Sequence, residues 1–503
     1  MVPRLCLFVM ALCLAWCFAL PVHAQAWLRA ESDHYVVHAR LDEAELRSLM
    51  QSIEEFDRVL HGLMPAETRH GRKPELYLTD RPARIARAAN FGASAVCQDH
   101  AELPIAYALY TTDPTGERDP SEVFYCLTQF HLGNGFFRPK PMWVTAGLSH
   151  YFATASSKER GLFTIGKPRS IRPIRGITSA AMTEALMVRF RHRTEAEYSR
   201  FLDLSRVIAS PLLIEPQYAG VLDRYIDAYV TGRSMEDAAR ELGDLEALAT
   251  ELGQRRIVAP MRRVRIQPMF VADVTVRRMA RDEIALIDLR IERLLETRLN
   301  ASARELGELT RRFPDSALVW YEYAAAEYAR VQNSDFGGRP VFRGFGFSNG
   351  ELIVMANPYS DAEAWRAVNK ALSLDPDLAP ARRLRAEILL ARLVREGNPD
   401  DPAAYDEVRA MLGPLARAPE REPLAAALYH QSYVEQDREP PEAALNQLRR
   451  AFLANAGVGD FRYAYATAQS RRGEKNEARS LLISMLNDPA FQAAAFRALE
   501  VTQ

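Results

Sequence analysis

The amino-acid sequence predicts an α+β domain followed by an all-α array of helices. Strand and helix signals alternate between Trp27 and about Gly133, and helix signals predominate from there to about Arg256. From about Arg281 onward, helical segments follow one another with short breaks, and a pattern of small and large residues recurs among them. A chain of 503 residues exceeds what one hydrophobic core usually holds, so two or three domains are expected.

The first 24 residues differ from the rest and predict a signal peptide. A single positive charge at Arg4 precedes an apolar run from Leu5 to Leu20, and the small residues expected before a cleavage site are met by Val22 and Ala24. A membrane anchor is the alternative, but the apolar run is shorter than the ~20 residues that a spanning helix needs. We therefore expect an exported protein, periplasmic or secreted, with no integral membrane segment after signal cleavage.

Composition narrows the classes of partner. The 64 basic and 65 acidic residues give a formal net charge of −1, and 48% of the residues are hydrophobic. These values are typical of a soluble globular protein and give no electrostatic reason to expect a nucleic acid partner.

The predicted elements of the N-terminal region can be placed in order. Asp42 is a typical N-cap, and apolar residues follow it at helical spacing from Leu46 to Leu60. Strands are predicted at 34–39, 74–79 and 105–110, helices at 121–132 and 143–155, and a last strand at 263–266.

Two cysteines remain after signal cleavage, Cys97 and Cys126, because the other three of the five lie in the first 24 residues. An isolated pair in an oxidising compartment is a disulfide candidate. The spacing alone does not decide whether the two residues meet.

The C-terminal helices carry a repeating pattern of small and larger residues. Ala364, Val368 and Ala371 precede Pro376 and occupy the small, medium and small positions of the second helix of a repeat. Trp320 and Ala324 follow Phe313-Pro314 and occupy the large and small positions of the first helix of the next repeat. A degenerate copy ends at Pro489, after Leu481 and Met485. Small residues allow two helices to cross closely, and larger ones fill the neighbouring hole. The pattern resembles tetratricopeptide repeats, which implies a protein or peptide partner on the concave face of a solenoid.

A Gly- and aromatic-rich segment, 333–359, interrupts this array. Its composition predicts a hairpin or ordered loop inserted between repeat helices. The segment is either a contact surface for a partner or a local plug over exposed repeat faces.

Two blocks of the N-terminal region resemble gluzincin-like (peptidase MA-type) metallopeptidases, a family often joined to tetratricopeptide repeats in bacterial exported proteins. The first block is 27–37, WLRAESDHYVV, and the second is 141–154, PMWVTAGLSHYFAT. Thr231-Gly232, Ala238 and Leu242-Gly243 are similar to a later helical block of the family. The resemblance implies a zincin-like fold for residues 25–275 and leaves 276–503 to the repeat array.

The residues that an active member of this family needs are replaced. Tyr125 and Gln129 stand where the resemblance places the two zinc-binding histidines, and Cys126 stands at the position of the general base. Ala146 replaces the third ligand, a glutamate, and His150 replaces a second acidic residue. The chain contains no His-Glu-x-x-His sequence at any register. The resemblance therefore implies a pseudoenzyme without catalytic residues, metal or cofactor.

Three functions follow as hypotheses. The first is a non-catalytic protein-interaction module that binds a peptide or protein partner in the bacterial envelope. The second is a hydrolase with an atypical site around Cys126, His131 and His150, in which Cys126 is a nucleophile rather than a buried or bridged cysteine. The third is an assembly scaffold that binds no ligand in either groove.

Overall fold

The structure is a computed structural model that describes most of the chain after residue 25. Within 26–501 it leaves out the segments 67–70, 89–92, 113–115, 136–137, 167–176, 188–193, 255–260, 267–270, 335–345, 349–350, 354–359, 397–400 and 489–490. The predicted signal peptide, 1–24, and Pro489 lie outside the described residues. The architecture is α+β, with a mixed-sheet region first and a long series of helices after it.

The strands form two sheets in the N-terminal region and one isolated pair. In chain order they are β1 (Leu28–Glu31), β2 (Val36–Ala39), β3 (Glu75–Thr79), β4 (Ala95–Asp99), β5 (Pro104–Leu109), β6 (Ser156–Glu159), β7 (Leu162–Ile165), β8 (Arg262–Arg265), β9 (Thr275–Arg278), β10 (Gly346–Ser348) and β11 (Glu351–Ile353). The main sheet has the order β4-β5-β3-β2-β1-β9, in which β2, β3 and β5 run parallel and the remaining pairs are antiparallel. The second sheet has the order β6-β7-β8.

Nine helices of the described residues accompany these sheets. They are α1 (Glu43–Leu63), α2 (Pro82–Ala88), α3 (Ser121–Asn134), α4 (Met142–Phe152), α5 (Ser179–Met187), α6 (Glu195–Ile214), α7 (Val221–Val230), α8 (Met235–Ala239) and α9 (Leu245–Gln254). The helix α1 begins as predicted, because the Asp42 carboxylate accepts a hydrogen bond from the Glu45 amide at 2.8 Å.

The strand predictions were confirmed for β2, β3, β5 and β8, and the helix predictions were confirmed for α1, α3 and α4. The strands β1, β4, β6, β7 and β9 were not predicted. The sequence of β9, TVRR, has no apolar alternation, and the strand is mostly exposed at the sheet edge. It pairs with β1, from which it is separated by more than two hundred residues.

Eleven further helices follow within the described residues. They are α10 (Arg281–Leu294), α11 (Leu299–Arg312), α12 (Ala317–Ser334), α13 (Ala362–Leu374), α14 (Ala379–Glu396), α15 (Pro402–Ala416), α16 (Pro423–Val434), α17 (Glu442–Ala454), α18 (Gly459–Arg471), α19 (Lys475–Ile483) and α20 (Gln492–Val501). Each packs against the next, and α10, α12, α14, α16 and α18 also contact one another in that order. Alternate helices therefore form one layer, which we call the inner layer.

Between α12 and α13, the strands β10 and β11 form a short antiparallel pair inside the segment 333–359. The rest of that segment after Ser334 lies outside the described residues. Across the described part of the chain, no helix combines the length and apolar character needed to cross a membrane.

A buried ion network joins the inner layer to the sheet region. The Arg293 guanidinium on α10 donates to Glu322 on α12 at 2.6 Å and to both carboxylate oxygens of Glu102 at 2.8 and 2.9 Å. Glu102 lies in the turn between β4 and β5, and the side chains of Arg293 and Glu322 are 0% exposed. Burial by itself would lower the pKa of Arg293, but the two carboxylates hold it well above its usual value.

The later helices return to the N-terminal region at a second contact. Arg72 donates to the Asn455 side chain at 3.0 Å, and the Gly457 amide donates to the Asn134 side chain at 2.9 Å. A Cβ atom on Gly457 would lie 2.6 Å from the Gly133 carbonyl carbon, so this close approach requires glycine. The series of helices thus contacts the sheet region at both ends of its inner layer.

A disulfide joins Cys97 on β4 to Cys126 on α3, with the Cα atoms 5.4 Å apart. The structure thus pairs the two cysteines, which the sequence alone did not decide. The bond fixes the antiparallel edge of the main sheet to the helix that packs beneath it.

We expect the substitution Arg293→Met to lower the free energy of unfolding by about 3–5 kcal/mol, because it removes the buried guanidinium that Glu102 and Glu322 share. Glu322 then keeps Arg290 as a neighbour, and Glu102 keeps Tyr321 and the more distant Arg383. Urea unfolding monitored by circular dichroism measures this loss. Arg277→Met is the matched control, since its pair with Glu283 is largely exposed and contributes less than about 1 kcal/mol. Equal losses in the two variants would contradict the role given to the network.

The double substitution Cys97→Ala/Cys126→Ala should lower the free energy of unfolding by about 3–4 kcal/mol, because the bond closes a loop with a sequence separation of 29. Mass spectrometry after alkylation of the unfolded, unreduced protein should find neither residue modified. Detection of a free thiol at either position would refute the pairing.

Candidate functional site

The residues at the predicted catalytic positions lie where α3 and α4 pack together. On α3, the Gln129 amide donates to the Tyr125 hydroxyl at 3.0 Å, one helical turn away. The His150 ring on α4 lies 4.9 Å from the Tyr125 ring, centroid to centroid. Ala146 precedes His150 by one turn on α4 and is buried. The structure therefore brings Tyr125, Gln129 and His150 together.

The surface of α3 and α4 that carries Tyr125, Gln129 and His150 is polar but has little charge. Burial raises the pKa of the Tyr125 phenol well above its usual value, so the side chain stays neutral. Tyr198 on α6 is a further phenol beside it, and burial raises its pKa as well. Neutral phenols and an amide are poor ligands for zinc, which prefers imidazole, thiolate and carboxylate. Within the described ranges, no group of three or more His, Cys, Asp or Glu side chains is arranged to hold a metal ion.

The residues of the second resembling block that match the family pattern have packing roles. The Trp143 indole donates to the Tyr225 hydroxyl at 3.1 Å in the core. Gly147 faces α6 so closely that a Cβ atom would lie 2.2 Å from the Ser205 carbonyl oxygen. These contacts hold α4 against α6 and α7.

Cys126, His131 and His150 have three different sets of neighbours. Cys126 is bonded to Cys97, His131 contacts His61, and His150 contacts Tyr125. Positions 126 and 131 point about 140° apart on a helix. The atypical hydrolase site is therefore not assembled from these three residues, and Cys126 presents a disulfide rather than a thiol.

A larger cavity, which we call the interdomain cleft, lies between the sheet region and the inner layer. Its volume is about 610 Å³. It is lined by side chains of both charges, which come from Glu31, Asp33, His34, Asp57, His61, Arg72, Lys73, Glu102, His131, Arg290, Tyr321, Arg383, Arg421 and Glu422, among others. Of the residues predicted for a catalytic site, His131 lines this cleft, and Tyr125, Cys126, Gln129, Ala146 and His150 are not in its lining. Four residues of the first resembling block also line it, namely Glu31, Asp33, His34 and Tyr35.

One wall of the cleft carries a chain of hydrogen bonds. The Tyr35 hydroxyl donates to the Asp57 carboxylate at 2.7 Å, and the His61 ring lies 3.4 Å from its other oxygen. The His131 ring stands edge-on to His61 at 4.6 Å, and its Nε2 is 2.8 Å from the Met64 carbonyl oxygen. Burial would raise the pKa of Asp57, but His61 and Tyr35 outweigh it and hold the pKa at about 2. Burial, aided by the nearby His61, lowers the pKa of His131 to about 4.

The lining of the cleft also contains four guanidinium groups, those of Arg72, Arg290, Arg383 and Arg421. Arg72 is buried, which lowers its pKa to about 10, and it donates to the carbonyls of His100 and Ala101. Burial raises the pKa of Glu422, although Arg383 and Arg72 act against the rise. At the mouth, Asp33 comes from the sheet region and Arg421 from the turn before α16, and both side chains are exposed.

The residues of the cleft were missed because they are contributed by segments far apart in the chain. Asp57 and His61 are spaced i, i+4 on α1, which places them on one helical face and is the one local signal for this wall. Comparison of the chain with models of protein families, with curated proteins and with solved structures found no match.

We expect the protein to lose stability as the pH falls from about 6.5 towards about 4. In this range the unfolded chain protonates His131, whereas the folded chain keeps it neutral. The free energy of unfolding of the wild type should therefore fall by about 2 kcal/mol more than that of His131→Gln between about pH 7.5 and about pH 5. Urea unfolding of both proteins at each pH measures the difference. Parallel pH profiles would show that His131 is not held neutral by its surroundings.

Proposed function

We propose that this chain is a non-catalytic binding protein of the bacterial envelope, in which the interdomain cleft holds a peptide segment of a partner. The observation that carries the proposal is the cleft itself. A volume of about 610 Å³ is within the range of ligand sites, and its walls come from two different parts of the chain.

A peptide suits the chemistry of the cleft. Asp33 comes from the sheet region, and Arg383 and Arg421 come from the series of helices, so the lining offers both charges to a chain end. Buried groups such as Arg72 already donate to backbone carbonyls, which is the type of contact that an extended peptide offers.

Two features support a descent of the N-terminal domain from zincin-like peptidases. The positions inferred from the resemblance, Tyr125, Gln129 and His150, lie together on two packed helices. Trp143 and Gly147, which the resemblance retains, are packing residues. We infer a pseudopeptidase that keeps the scaffold and lacks the zinc ligands.

The contacts among helices support a tetratricopeptide-like solenoid for 276–503. Ala324, Ala364, Val368 and Ala371, the small and medium residues of the pattern, are at most 1% exposed. The inner layer corresponds to the first helices of successive repeats, which line the concave face of a solenoid. On this proposal, the concave face encloses the pseudopeptidase domain, and the partner binds between the two.

Export is supported by the disulfide between Cys97 and Cys126, since such bonds persist in oxidising compartments. The same bond argues against the hydrolase hypothesis, because Cys126 offers no thiolate to act as nucleophile. The third hypothesis, an assembly scaffold, assigns no ligand to the cleft.

Fluorescence anisotropy with a labelled, mixed-sequence decapeptide pool tests the proposal. The wild type should bind the pool, and Asp33→Arg and Arg421→Glu should each weaken binding about tenfold, because each reverses an exposed charge at the mouth of the cleft. The matched controls are Glu308→Arg and Arg438→Glu, which reverse exposed charges on residues that do not line the cleft.

Mass spectrometry of the pool and metal analysis of the purified protein complete the test. The peptides should remain uncut, and the protein should contain no stoichiometric zinc. Absence of binding would leave the scaffold hypothesis, and cleavage of the peptides would establish an enzyme. Stoichiometric, tightly bound zinc would contradict the proposed loss of the metal site.

A further inference from the structure

A second, smaller cavity opens at the carboxyl ends of the parallel strands. Arg40 follows β2, Asp80 and Arg81 follow β3, and Tyr110 follows β5. The cavity has a volume of about 160 Å³ and shares no lining residue with the interdomain cleft. Its lining consists of Trp27, Ala39, Arg40, Leu41, Leu78, Thr79, Asp80, Arg81, Arg84, Tyr110 and Arg118. In sheets with parallel strands, this edge is where ligands usually bind.

Four guanidinium groups surround this small volume, and Asp80 is the one acidic side chain in the lining. Two of the four have outside partners, since Arg84 lies 3.3 Å from Asp288 and Arg118 lies 3.0 Å from Glu45. Arg40 and Arg81 are exposed and have no ion-pair partner among the described residues. The cavity therefore has an excess of positive charge that its lining does not neutralise.

The lining also contains a hydrogen-bond donor without an acceptor. Trp27 is 3% exposed, and its buried indole nitrogen has no hydrogen-bond partner among the described residues. The guanidinium carbons of Arg40 and Arg84 lie 5.5 and 5.9 Å from the centre of its ring. Buried polar groups in folded proteins nearly always have a partner, so an absent acceptor at this position indicates a place for a ligand oxygen.

We propose that this cavity, which we call the strand-end site, binds a phosphate group. A phosphate supplies oxygen acceptors for the indole and for planar guanidinium forks, whose geometry matches it. Its multiple negative charge matches an excess of arginine better than a single carboxylate does. The volume suits a group of this size, because it equals that of about five water molecules in the liquid.

Isothermal titration calorimetry of the full chain, at constant ionic strength adjusted with chloride, tests the site with inorganic phosphate and with phenyl phosphate. One phosphate group should bind per chain. Arg40→Gln/Arg81→Gln should weaken binding at least tenfold, and Trp27→Phe, which keeps the ring and removes the N–H group, should weaken it about tenfold. The double variant alters exposed side chains, so it keeps the test valid if Trp27→Phe proves unstable.

The matched control is Arg417→Gln/Arg438→Gln, which removes the same charge from exposed positions just after α15 and α16. This control should bind phosphate as the wild type does. Tighter binding of phenyl phosphate identifies the phosphate as part of a larger ligand, whereas equal binding identifies free phosphate. The proposal is overturned by no binding of either probe, or by equal weakening in the control and in Arg40→Gln/Arg81→Gln.

Discussion

The arrangement of the whole chain depends on the desolvated Arg293 guanidinium, which sits between the carboxylates of Glu102 and Glu322. Removing three charged groups from water costs several kcal/mol for each ion, and their attraction offsets this cost only in good geometry. A shift of α10 or α12 against the turn that carries Glu102 would leave charges buried without a partner. The network therefore favours one docking geometry more than it adds net stability.

The disulfide extends this constraint into the N-terminal domain. Glu102 lies five residues after Cys97, and Cys97 is bonded to Cys126 on α3. A short covalent path thus joins Glu102, which is ion-paired to the inner layer, to the helix that contributes His131 to the interdomain cleft. Tyr321 and Arg383 line the cleft and also contact Glu102. A charged ligand in the cleft would act directly on the groups that hold the two parts together.

Local signals in the sequence were sufficient for the elements that depend on local chemistry. The alternation at 34–39 and the N-cap at Asp42 predicted β2 and α1 because periodicity and capping are determined within a few residues. Local signals could not predict β9, because its four residues form a strand by pairing with the distant β1. The grouping of Tyr125, Gln129 and His150 came from a resemblance to a family, and that resemblance stays a prediction. The cleft was beyond prediction, since Arg72, Arg290 and Arg383 meet only after the chain folds.

The helix α3 carries a neutral polar face and, on another side, a residue of the charged cleft. Gln129 and His131 are two positions apart, which places them about 160° apart around the helix axis. The face with Tyr125 and Gln129 holds a neutral phenol and an amide, while the face with His131 meets His61 and Asp57. Substitutions that removed charge from the first face would leave the packing of the second intact. Under the proposed function, binding in the interdomain cleft did not require the zinc site to be rebuilt, because the cleft is formed by the opposite side of the same helix and by the inner layer docked against it.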